Sequence, residues 1–207
     1  MKNWKIILSV ISIVLTFIGI GLVESVLAPF YPAEARQKGA TPSQYGFVLG
    51  IVHFAILLSS PVSGKYGPKI GIRLCFLIGV AVGGVSAVAF SFLEKTTDVT
   101  TFLLLSYLLR FILGVAYGMA WPSGIGVLID LVPHYEASAQ SWVQASFGFG
   151  ICVGPAVGSW LYNIGGFTLP FMVNGFYMMG TAIILIFTLY HPSNQVNELP
   201  LVSLSSE

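Results

Sequence analysis

The chain has 207 residues, 56% of them hydrophobic and only 8% charged, where a soluble domain carries about a quarter charged residues. Nine Lys and Arg nearly balance eight Asp and Glu for a net charge of +1, which excludes a nucleic-acid-binding polyelectrolyte. Cys75 and Cys152 both sit inside apolar runs, so neither a disulfide framework nor a metal site is indicated. The class left is a multi-spanning, all-α membrane protein embedded in the lipid bilayer.

Crossing a hydrocarbon core of ~30 Å takes roughly 20 helical residues, so charge-free intervals count as spans. Ile6 to Val23 is uncharged, and apolarity continues past Glu24 to Phe30. Gly39–Gly64 and Leu74–Leu93 are uncharged, and Arg110 is the only charge between Val99 and Ile129. Ala137–Asn197 carries no charge; as one helix it would be about 90 Å long at ~1.5 Å per residue. It must fold back, and Gly165–Gly166 is the turn signal. The expectation is a bundle over 1–190 with six spans, near 6–30, 45–63, 72–93, 101–129, 141–162 and 168–190. A polar segment over 191–207 then reads as a cytosolic tail or the start of a linker between bundles. Lys2, Lys5, Lys65, Lys69 and Arg73 fall on one side, and Arg36, Lys38 and Lys95 on the other. That bias places both termini in the cytosol.

Continuous rather than alternating apolar runs exclude a β-barrel. Small residues recur four apart at Gly79/Gly83, Gly114/Gly118 and Gly150/Gly154/Gly158, a spacing that lets helices approach closely in lipid. An enzyme is not indicated: H-E-x-x-H is absent, no G-x-S-x-G serine has a usable histidine, and no cofactor is called for.

Charges inside a membrane are costly, ~2.5–3.5 kcal/mol for a centred Arg on insertion scales. Arg110 in the fourth span should therefore face a polar cavity and find a partner, and Glu24 is the only carboxylate within another span. Two readings stay open: a static ion pair orienting two helices, or a pair that opens when a proton or cation competes for the carboxylate. His53 is the only histidine within a span, where it serves proton traffic or simply lines a wet cavity. Asn174, Gln144 and Tyr117 either line that cavity or bond between helices. Trp121, Trp142 and Trp160 read as packing or interfacial anchors. At the cytosolic ends, Asp130 with Lys69 and Arg73 forms either a latch or a set of solvated charges.

Several segments resemble the amino-terminal half of a major facilitator superfamily transporter. Gly64-Lys65-Tyr66-Gly67-Pro68-Lys69-Ile70-Gly71-Ile72-Arg73 is similar to the superfamily's G-x-x-x-D-R-x-G-R-R loop, with Pro68 in place of the Asp and Ile72 in place of one basic residue. Arg110-x-x-x-Gly114 resembles its membrane-embedded R-x-x-x-G. Gly150-x-x-x-Gly154-Pro155-x-x-Gly158 resembles the antiporter motif of the drug:proton exchangers. Ala28-Pro29-Phe30-Tyr31-Pro32-Ala33-Glu34-Ala35, followed by Lys38-Gly39, is similar to the vesicular amine and polyamine branch. The monoamine members' substrate Asp falls here at Ile20, and Glu24 lies one turn further along the same face.

This resemblance implies one bundle of two inverted three-helix repeats, with substrate held against a second six-helix bundle. That second bundle would be a missing half or another copy of the chain. The implied activity is proton-coupled antiport of a small organic cation, an amine or polyamine, across a membrane that the branch places in an intracellular vesicle. Glu24, Arg110, His53 and Asn174 would line the substrate and proton pathway. Gly64, Lys69, Gly71, Arg73 and Asp130 would form a cytosolic gating loop. Gly150, Gly154, Pro155 and Gly158 would shape the antiporter helix. The alternative is a truncated, non-transporting membrane protein that associates with an intact transporter and modulates it.

Overall fold

The computed structural model describes residues 2–189, so the anticipated tail over 191–207 lies outside the described residues. Six long helices and one short one make up the fold: α1 (Lys2–Val26), α2 (Tyr31–Gln37), α3 (Pro42–Ile70), α4 (Ile72–Ser91), α5 (Val99–Leu131), α6 (Glu136–Gly165) and α7 (Thr168–Leu189). Five of the long helices have the length and apolarity of a membrane span. The sixth, α6, falls short of that apolarity because its first half carries Gln140, Ser141, Gln144 and Ser146.

Local chemistry sets the helix ends. Pro42 opens α3, and Gln44 Oε1 accepts the Thr41 backbone N–H at 2.8 Å. Asp98 caps α5 by accepting the Thr101 N–H at 2.8 Å. The connection between α3 and α4 is the single residue Gly71, whose φ of +108° suits a residue without Cβ. Gly64 and Lys69 therefore lie within α3 rather than in a loop, and the helix runs on through Pro61 and Pro68. The turn between α6 and α7 is made by Gly166, at φ +64°.

The long helices pack as an arc in the order α3, α5, α4, α7, α1, α6. The pairing is two-fold in pattern. The α3–α5 contact corresponds to α6–α1, α4–α5 corresponds to α7–α1, and α4–α7 corresponds to itself. Such equivalence is what inverted repeats of α1–α3–α4 and α5–α6–α7 produce.

Small residues set the two closest helix pairs. A methyl on Gly114 would strike the Val52 carbonyl and come within 2.6 Å of Ala55 Cβ; one on Gly150 would strike the Ile18 carbonyl. Gly118 lies against Ser59, and Gly154 against Ser25. The glycines sit on α5 in one pair and on α6 in the other. In the α1–α6 pair α1 contributes as well, because a methyl on Gly21 would strike the Phe147 carbonyl. Both helices can come together because lipid offers no competing hydrophobic gain and dispersion rewards contact.

Two apolar clusters fill the arc. One, built on Ile13, Phe17, Phe76, Val127 and Leu185, lies toward the end where α7 finishes. The other lies toward the α2 end and is largely aromatic. There Phe30 stacks on Tyr162 at 5.0 Å and meets Phe171 edge-on, while Tyr31 stacks on Phe102 at 5.7 Å. The Ala28–Ala35 motif is thus a plug that ties α1 and α2 to α4, α5, α6 and α7. Lys38 fastens it: Nζ pairs with Glu34 at 3.3 Å and donates to the carbonyls of Glu94 and Thr96 at 3.0 and 2.8 Å.

Candidate functional site

α3 and α6 stand at the two ends of the arc, so the face they share with α1 and α5 is open. Glu24, on the last turn of α1, points to this face. Its Oε1 lies 3.6 Å from His53 Nε2 on α3. The carboxylate side chain keeps 14% of its surface, whereas the imidazole keeps 68%. One oxygen of Glu24 thus meets an exposed imidazole, and the other, Oε2, is buried without a hydrogen bond.

The anticipated Glu24–Arg110 pair does not form; among the described residues Glu24 pairs with His53 alone. The reason is placement. Arg110 is 3% exposed and turns into the bundle, where it borders a narrow cavity with Val23, Leu27, Leu113 and Phe171. Its Nε has no hydrogen-bond partner. Tyr117, two turns further along α5, is also buried, and its hydroxyl makes no hydrogen bond.

An apolar groove of about 700 Å³ runs along α3, lined by Ser43, Gly46, Phe47, Gly50, Ile51 and Phe54. Gly46, Gly50 and His53 lie at i, i+4 and i+7, on one side of that helix. Phe47 and Phe54 give the groove aromatic walls, and neither Glu24 nor His53 is among its lining residues.

The remaining sequence candidates separate. Asn174 is buried and spends its Nδ2 on the Pro170 carbonyl of its own helix at 2.8 Å. Arg73 donates to the Leu189 carbonyl at 3.4 Å, closing the last turn of α7. Among the described residues Asp130 forms no ion pair with Lys69 or Arg73, and it is exposed. Gly64 and Gly71 have open space where a Cβ would stand. Gly150, Gly154 and Gly158 face α1, and a methyl on Gly158 would lie 3.3 Å from Phe30. Gln144 is exposed on α6. Trp121 meets Phe17 and Phe147 edge-on, whereas Trp142 and Trp160 are exposed.

Sequence reading passed over Ser106, fully buried on α5, and gave Tyr31 no role beyond its motif. The signal for Ser106 was present: it precedes Arg110 by one turn.

Comparison with known proteins agrees with this architecture. The profile of the Major Facilitator Superfamily matches residues 13–204. The MFS-type transporter SLC18B1 of Homo sapiens is 32% identical over 151 residues, 73% of this chain and 33% of its own length. The Mus musculus protein of the same name is 30% identical over 158 residues, 76% of this chain and 34% of its own. The quinolone resistance protein NorA of Staphylococcus aureus is 28% identical over 174 residues, 84% of this chain and 42% of its own. The chain spans about a third of the length of the SLC18B1 relatives it matches. It belongs to the Major Facilitator Superfamily.

Proposed function

We propose that this member of the Major Facilitator Superfamily is one bundle of a proton-coupled antiporter for a small organic cation, an amine or polyamine. The observation that carries the reading is Glu24: a carboxylate on the open face, held on one oxygen by an exposed imidazole. His53 is exposed and stands 3.6 Å from the carboxylate, beyond hydrogen-bond distance, so a cation can approach Glu24 without breaking a strong contact. A proton on the carboxylate removes the charge the cation needs. Cation and proton then exclude one another at one site, which is the requirement for exchange rather than leak. Phe47 and Phe54 would receive the methylenes of the amine.

Resemblance to the vesicular amine branch and similarity to SLC18B1 and NorA support this reading. Arg110 supplies a fixed positive charge deeper in the bundle. A second six-helix bundle, from the rest of a longer chain or from another copy, would close the open face and rock against it. Cytosolic termini, an intracellular vesicle membrane, and a cytosolic gate built from Gly64, Lys69, Gly71, Arg73 and Asp130 belong to the same proposal.

The test is uptake of radiolabelled spermidine by protein reconstituted in acid-inside liposomes. Uptake should exceed that of protein-free liposomes, collapse when the gradient is dissipated, and fall by about tenfold or more in Glu24→Gln. Uptake unchanged in Glu24→Gln would remove that residue from the mechanism.

A second reading is favoured by the α3 face, where Phe47, Phe54, Leu57, Leu58 and Val62 are all more than half exposed. In it the bundle associates with an intact transporter and modulates it. Mass measurement in detergent separates the two: a monomer that moves no amine supports modulation, and a transporting dimer supports antiport.

A further inference from the structure

The two ends of the bundle are fastened unequally. At the α2 end, the 3-10 turn Phe92–Lys95 between α4 and α5 is held from both sides. Lys38, at the end of α2, keeps only 13% of its side-chain surface. Its ammonium carries three N–H donors and no acceptor. The three have Glu34 Oε1 at 3.3 Å and the carbonyls of Glu94 and Thr96 at 3.0 and 2.8 Å, and the Phe102 ring lies 5.3 Å away. From α7, the Thr168 hydroxyl lies within hydrogen-bond reach of the Ser91 carbonyl at 3.1 Å and of the Glu94 carboxylate. Beneath these polar straps, Leu93 of the turn and Phe167 of the α6–α7 connection are buried in the same aromatic cluster. One turn thus joins the α2–α3, α4–α5 and α6–α7 connections.

The opposite end is different. There Arg73 and Ser9 reach the last carbonyls of α7 at 3.4 and 3.3 Å. Among the described residues, however, no side chain of the α3–α4 connection bonds to the α5–α6 connection, where Pro133, His134 and Tyr135 are exposed. Helices α3 and α5 run side by side in one direction, because Val52 meets Gly114, Ser59 meets Gly118 and Ser63 bonds to the Met119 carbonyl. Pro61 and Pro68 of α3 and Pro122 of α5 all fall in the halves nearest this end. Each removes one i→i−4 hydrogen bond from its helix.

We propose that the α4–α5 turn is the hub of a clasp, with Lys38 and Thr168 as its straps, that makes the α2 end of the bundle move as one body. Helices then part at the other end, where α5 joins α6. The clasp goes beyond the antiport reading and stands whether or not the chain moves an amine.

Hydrogen exchange of the intact chain in nanodiscs, resolved to single amides, tests it. Each connection holds a reporter with a comparable backbone bond: Ala40 to Ala35 at 2.9 Å, Thr96 to Leu93 at 3.1 Å, Gly166 to Tyr162 at 2.8 Å and Tyr135 to Val132 at 2.9 Å. After correction for intrinsic rates, the first three should be protected roughly tenfold more than Tyr135. Lys38→Met leaves two carbonyls and a carboxylate without their donor, so protection of all three should fall together by about tenfold. Gly166 is the informative one, because Lys38 does not touch its connection. Loss confined to Ala40 and Thr96 would show two separate contacts and overturn the clasp. Equal loss at Tyr135 would also overturn it, because the strap would then hold the whole fold rather than one end. Thr168→Val approaches from the other side and should expose Ala40; an unchanged Ala40 overturns the proposal, as does a parent chain in which Tyr135 is protected as well as Gly166.

Discussion

Glu24 shows how a residue's role follows from its two oxygens rather than from its charge alone. One faces His53 at 3.6 Å on the open side, and the other is buried without a hydrogen bond. Asp98 illustrates the opposite case, a carboxylate with a purely structural task. It is exposed at the start of α5, and the Thr101 N–H and hydroxyl, each at 2.8 Å, hold its carboxyl below the usual carboxylate range. A depressed pKa means that the stabilisation is complete above about pH 4. It is lost as pH falls through the lowered value. Thermal melting of Asp98→Ala should therefore sit below that of the parent protein at neutral pH, and the gap should shrink as pH drops toward 3. A gap that stays constant would mean the cap does not act through its charge.

At the scale of elements, the glycine motifs explain why α5 binds α3 and α6 binds α1 so closely. A methyl on Gly150 would strike the Ile18 carbonyl, whereas Gly148, half a turn away, has open space. Gly150→Ala should cost about 1–3 kcal/mol through overpacking, and Gly148→Ala should be neutral or stabilise by about 0.5–1 kcal/mol through helix propensity. Unfolding in mild detergent compares them, and equal effects would show that the α1–α6 contact does not set stability. Much of this layer was legible in the sequence. Charge-free runs anticipated long helices, five of which have the length and apolarity of a span, and small residues four apart anticipated the close contacts, because lipid imposes both rules on any helix that crosses it. The α3–α4 connection was not legible. Gly64-Lys65-Tyr66-Gly67-Pro68 reads as a loop by composition, yet it remains helical because tertiary packing of Ser63, Gly67 and Cys75 overrides local propensity. The partner of Glu24 was not legible either. Depth along a helix can be counted from sequence, but the azimuth that turned Arg110 inward and left His53 facing Glu24 depends on how the whole arc closes.

At the scale of the whole molecule, the arc buries its aromatic plug and its paired repeats and leaves α3 and α6 as free ends. That geometry puts the Glu24–His53 contact at the edge of the open face rather than in a sealed core. The central claim is that Glu24 exchanges a proton for a cation at this surface. Its most direct test follows the internal pH of acid-loaded liposomes carrying the protein when spermidine is added outside. The account predicts amine-dependent alkalinisation of the lumen by the unaltered protein and none by Glu24→Gln; equal alkalinisation by both would contradict it.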